Sequence, residues 1–100
     1  MPKTLYRPEN TILRNQLRSA REAAGLTQVD LSEAVGKSQT FVSDVERGVR
    51  RLDTVELWEI CRAMGLDLTS FVAEFQVAIE EAGTSKPRRA KSTGQPRRRA

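Results

Sequence analysis

The stretch Thr27–Gly48, TQVDLSEAVGKSQTFVSDVERG, holds two short apolar patterns parted by one glycine and closed by another. Leu31, Ala34 and Val35 recur at helical spacing in the first half, and Phe41, Val42 and Val45 do so in the second. Thr27 is a capping residue type, and Asp30 three positions on suits the positive end of a helix dipole, although a strict capping box carries Glu or Gln there. The spacing predicts helices over residues 28–35 and about 39–47, the second capped by Ser38. Only Gly36, Lys37 and Ser38 then lie between them, too short a link for antiparallel packing. The two helices must cross steeply, with Gly36 in a left-handed conformation.

Working outward, the same periodicity predicts three more helices. One covers about 11–24, capped by Asn10, with Leu13, Leu17, Ala20 and Ala24 on one face and Gly25 as its stop. Another covers 54–64, where DTVE places Asp53 as cap and Glu56 three positions on, ahead of the stripe Leu57, Ile60, Cys61 and Met64. The last covers 68–81, with Phe71, Val72, Phe75 and Ile79 at helical spacing. No segment alternates apolar and polar residues as a strand does, so the class is all-α. The expected organisation is an N-terminal arm over 1–9, a five-helix domain over 10–83 and a tail over 84–100.

The net charge of +4 hides a division. Residues 1–83 hold ten of the seventeen Lys and Arg and all thirteen Asp and Glu, a balance of −3, while 84–100 hold the other seven cations and no acid. The segment TSKPRRAKSTGQPRRRA has no large apolar residue and is expected to be a flexible basic tail. Such an arm suits a polyanion, or serves only to keep the chain soluble. There is no histidine and a single cysteine, Cys61, which nearly excludes zinc sites and histidine-based nucleophile chemistry. No enzyme activity, cofactor or metal is expected. The absence of an apolar span or signal-like start suggests a cytoplasmic protein with no membrane partner.

The outward positions of the second helix in the central pair carry Gln39, Thr40, Ser43 and Asp44. Amides and hydroxyls suit hydrogen bonding to base edges, whereas an acid suits contact with DNA badly. The order of motifs from Leu17 to Leu66, LRSAREAAGLTQVDLSEAVGKSQTFVSDVERG followed by LWEICRAMGL, resembles the Cro/C1-type (XRE-like) helix-turn-helix domain of bacterial and phage regulators. Two positions depart from that pattern. Ser32 stands where alanine is usual, and Lys37 where an apolar residue often follows the turn glycine.

The resemblance implies a compact five-helix bundle of the lambda-repressor-like type that binds double-stranded DNA at a palindromic operator. It places Gln39, Thr40, Ser43 and Asp44 toward base edges in the major groove, and Gln28, Lys37, Ser38, Arg47, Arg50 and Arg51 toward phosphates. It also implies a partly buried ion pair between Arg21 and Glu46, assigned to folding and not to recognition. Asp44 has three readings. It neutralises Arg47 three residues on, accepts a hydrogen bond from cytosine, or repels sites that place a phosphate or an acceptor nearby. Phe71, Val72, Phe75 and Ile79, the expected homodimer interface, exceed what the domain needs to bury, so part of the stripe covers the domain and the rest pairs with its copy in a second chain. Trp58 is expected to fill the core or an interface. The leading expectation is a small bacterial or phage-type transcriptional regulator, nucleoid-associated in the bacterial cytoplasm, a repressor or autoregulator. The alternative is an antitoxin-like module whose last helix or tail binds a protein partner.

Overall fold

In the computed structural model, the structure describes residues 7–83. The expected flexible tail at 84–100 and most of the N-terminal arm lie outside the described residues. Five helices follow in order: α1 (Pro8–Ala23), α2 (Gln28–Ala34), α3 (Phe41–Arg47), α4 (Thr54–Ala63) and α5 (Leu68–Ala82). No strand occurs among the described residues. α1 packs on both α3 and α5, α2 on α3 and α4, and α4 on α5.

One apolar core joins them. Leu17 from α1, Leu31 from α2, Phe41, Val42 and Val45 from α3, Ile60 and Cys61 from α4, Met64 just after it, and Phe71 from α5 are all buried. Burial pushes the Cys61 thiol pKa up, with Asp67 adding to the effect, so Cys61 stays protonated as a small core residue. Leu13, Ala20, Val35 and Leu57 border the core, whereas Ala24 and Ala34 are exposed. Trp58 is not a core residue. It is 43% exposed, with the Arg62 guanidinium stacked 4.9 Å from its ring centre.

Three local expectations need correction. α1 begins at Pro8 with Arg7 as N-cap, so Asn10 lies inside the helix and does not cap it. Proline at the first helical position has its φ already set and no N–H to satisfy, which makes it a better start than Asn10. α3 begins at Phe41, not at residue 39. Gln39 and Thr40 form a turn closed by the Phe41 N–H on the Ser38 carbonyl at 3.1 Å, and Thr40, not Ser38, is the N-cap residue. The link between α2 and α3 therefore spans residues 35–40. Finally, Asp30 completes a reciprocal capping box. Its N–H donates to the Thr27 hydroxyl at 2.9 Å, and its carboxylate accepts from the Thr27 N–H at 3.0 Å. The Thr27 N–H bond is also the main reason that the Asp30 pKa is lowered.

Gly36 does take the left-handed conformation, at φ +73°. The Gly36 N–H then reaches the Glu33 carbonyl at 3.0 Å and the Lys37 N–H reaches Ser32 at 2.9 Å, closing α2 and turning the chain outward. Gly48, at φ +85°, ends α3 in the same way, and the Arg14 guanidinium lies where its Cβ would be.

Candidate nucleic-acid interface

α3 lacks a cap of its own, since the Thr40 side chain makes no capping bond. The missing acceptor comes from α2. Ser32 is fully buried, and its hydroxyl donates to the Gln28 carbonyl at 2.8 Å while accepting the Val42 N–H at 3.0 Å. The serine at the position where the resemblance has alanine thus bolts the start of α3 to α2. No local pattern reveals this, because the two residues meet only once the helices have crossed.

A second tie fixes the far end of α3. Arg21 donates from Nε to Glu46 Oε2 at 2.7 Å, from Nη2 to Glu46 Oε1 at 3.2 Å and from Nη1 to the Leu26 carbonyl at 2.8 Å. The two side chains are 9% and 7% exposed, so the pair sits inside the protein. Gln28 joins it, donating from Nε2 to Glu46 Oε1 at 2.8 Å. Its amide nitrogen is therefore committed to Glu46 and is not turned out toward a phosphate. Gln28, Arg21 and Glu46 form one network joining α1, α2 and α3.

On this base the outward residues come together. Lys37, Ser38, Gln39 and Thr40 are all exposed at the approach to α3. Ser43 is half-buried, and its hydroxyl donates to the Thr40 carbonyl at 3.0 Å. Arg47 donates from Nη2 to Asp44 Oδ1 at 2.6 Å, so the acid on this face is neutralised by its own helix. Beyond Gly48, Arg50 and Arg51 are exposed on the loop leading to α4. Arg50 is held in place by two hydrogen bonds to Glu56, at 3.1 and 2.8 Å, and lies 4.7 Å from the centre of the Phe41 ring.

α5 divides the four residues expected at a dimer interface. Phe71 is 3% exposed and belongs to the core of the single chain, so it is removed from that set. It sits in the first turn of α5, where the helix meets α1, and Gln16 of α1 donates to its carbonyl at 2.8 Å. Val72 is exposed, while Phe75 and Ile79 are half-buried beside Arg7, Asn10 and Arg51. Among the described residues no cluster suits a metal ion, and no helix is long and apolar enough to cross a membrane.

Two short helices joined by a glycine turn, with the second presented outward from a rigid base, define a helix-turn-helix unit. Residues 17–71 match the helix-turn-helix family. The chain belongs to that family, in its XRE-like branch. It is 35% identical over 74 residues to an uncharacterized HTH-type transcriptional regulator, y4dL, of Sinorhizobium fredii, an alignment covering 74% of this chain and 37% of that protein. Among solved structures it resembles an XRE-family like protein from Pseudomonas syringae pv. tomato, with TM-score 0.69 and 36% identity, covering 76% of this chain and 93% of that one. It also resembles the clp gene regulator ClgR from Corynebacterium glutamicum, with TM-score 0.66 and 27% identity, covering 75% and 80% of the two chains.

Proposed function

We propose that this domain binds double-stranded DNA sequence-specifically and acts as a small transcriptional regulator, a repressor or autoregulator. In this reading the turn at Gln39–Thr40 and the first turns of α3 enter the major groove. Gln39 bonds an adenine edge, the Thr40 methyl meets a thymine methyl, and Ser43 lies beside them. Lys37, Ser38, Arg47, Arg50 and Arg51 hold the backbone on either flank, and Gln28 acts indirectly by fixing Glu46 at the far end of α3. Asp44, paired with Arg47, keeps the face from being a general polyanion trap and leaves one carboxylate oxygen free for a cytosine amino group.

The observation that carries the reading is the double anchoring of α3. Ser32 fixes its start and Glu46 its end, while Gln39 and Thr40 stay exposed. Val72, Phe75 and Ile79 are proposed to pair two copies across a two-fold axis, which sets two half-sites about one helical turn apart.

The test is selection of bound duplexes from a random pool at physiological salt, using the full chain and a form lacking residues 84–100. A palindromic motif recovered by both forms supports a dimeric sequence reader, and Gln39→Ala should then relax one position of that motif. Binding by the full chain alone, without a motif, would transfer DNA contact to the tail and refute groove reading by α3. No binding by either form would favour the antitoxin-like alternative.

A further inference from the structure

The pattern DTVE gives Glu56 one task, which is capping α4. Its Oε1 accepts the Asp53 N–H at 3.0 Å and its own N–H donates to Asp53 at 2.8 Å. The structure gives it a second task. Both carboxylate oxygens also bind Arg50, and Lys37 Nζ lies 3.6 Å from Oε2. Lys37 and Arg50 come from opposite ends of α3, one from the turn before it and one from the loop after it. They meet at the Phe41 ring, with Lys37 Nζ 5.6 Å and the Arg50 guanidinium 4.7 Å from its centre. Phe41 is buried and fixed in the core, so it provides a rigid floor for both.

Glu56 is itself only 12% exposed on its side chain, whereas Arg50 is 41% and Lys37 35% exposed. The acid lies beneath and the cations lie above it, facing solvent. The bonds from Arg50 and from the Asp53 N–H hold the Glu56 carboxyl down to about 2, so it is charged at neutral pH. Arg50 Nη1 also donates to the Arg51 carbonyl at 2.9 Å, so of the five guanidinium donors the Nε hydrogen and one Nη2 hydrogen are not used in these bonds.

We propose that Glu56 is a positioning residue for DNA-backbone binding, holding Lys37 and Arg50 together over Phe41 so that both reach one stretch of phosphates already ordered. The proposal rests on the DNA-binding reading above. It runs against simple electrostatics, in which an acid beside a phosphate site weakens binding and its neutralisation strengthens it. The sign of the effect therefore separates the two accounts. Ordering a long cationic side chain at an interface costs roughly two- to twelvefold in affinity. With two such side chains released, Glu56→Gln should bind about tenfold more weakly, although the variant is one unit more positive.

Glutamine is accepted at this position of a capping box, so E56Q keeps the α4 cap and removes the charge. The experiment titrates a duplex recovered by the wild-type chain from the random pool against four full-length proteins: wild type, E56Q, K37A/R50A and the triple variant. Thermal unfolding at neutral pH accompanies each. The expected result is weaker binding by E56Q with a motif unchanged, and no further weakening by E56Q in the K37A/R50A background. Equal or tighter binding by E56Q overturns the proposal. So does a loss of the same size in the K37A/R50A background, since Glu56 would then act through the fold alone. Absence of wild-type binding to any duplex is a separate outcome that removes the DNA reading together with this inference.

Discussion

Ser32→Ala removes one oxygen atom and should cost more stability than its place in a seven-residue helix suggests. The Ser32 hydroxyl is the acceptor for the Val42 N–H, one of the first-turn donors of α3 that no intrahelical carbonyl can serve. The Gln28 carbonyl loses less, because a helical N–H still reaches it. Deleting an N-cap oxygen costs about 0.5–2 kcal/mol, and stranding a buried donor about 1–3 kcal/mol. The site is closed to water at 0% exposure, so the expected loss is about 1.5–2 kcal/mol. For a domain of this size that corresponds to a fall in melting temperature of roughly 6–16 °C. Urea unfolding with unchanged m-value is the assay, since it separates stability from any change in the denatured state. Ser43→Ala is the internal control. Its hydroxyl only donates to the Thr40 carbonyl near the surface, and its removal should stay within about 0.5 kcal/mol. A Ser32→Ala loss below that same margin would show that Val42 finds another partner, and the bolt between α2 and α3 would be refuted.

Three further outcomes can be checked. Replacing Arg21 or Glu46 alone by alanine should cost about 3–5 kcal/mol by chemical denaturation, because each leaves its partner charged inside the protein, whereas an Arg21→Met, Glu46→Leu double variant should recover much of the loss. Glu56 has its pKa lowered from 4.5 to about 2 in the folded chain, so its contribution is complete above pH 4.5 and is lost as pH falls toward 2. Stability measured across that window should fall more steeply for wild type than for Glu56→Gln, and parallel curves would contradict the bonding around Glu56. Removing residues 84–100 deletes seven cations, and if all engage phosphates the slope of log affinity against log salt should become shallower by up to about six. An unchanged slope would make the tail a bystander.

The helices were legible because each carries its own punctuation. Gly25, Gly36, Gly48 and Gly65 fall where α1 to α4 end, and the apolar stripes of Leu17, Leu31, Val42, Val45, Ile60 and Phe71 fall in the core. Where the reading failed, a local signal was outvoted by a competing one. Asn10 looked like a cap, but Pro8 was the stronger start. Phe71 looked surplus to the core because its burial depends on how α5 meets α1, which periodicity cannot supply. The exposed polar approach to α3 at Gln39 and Thr40 was visible from residue types. What holds it was not, because Ser32 with Val42, and Glu56 with Lys37 and Arg50, pair across helix crossings.

Charge placement bears on how the proposed face would read DNA without merely sticking to it. The body carries −3, and the acids near the proposed interface are not left to repel phosphate. Asp44 is bonded to Arg47, Glu46 to Arg21 and Gln28, and Glu56 to Arg50 and Lys37. Each acid lies at or below the surface and binds a cation or an amide, so its cost in repulsion is offset and its gain is geometric. An all-basic face of the same size would bind any duplex, since phosphate contacts carry no sequence information. Pairing each acid with a neighbour instead lowers the non-specific attraction of the body, and on the proposed reading Gln39, Thr40 and Ser43 would then supply a larger share of the difference between one site and the next. On the proposed reading, the seven cations of residues 84–100 add to the phosphate contacts of Lys37, Arg47, Arg50 and Arg51 an attraction that falls with salt.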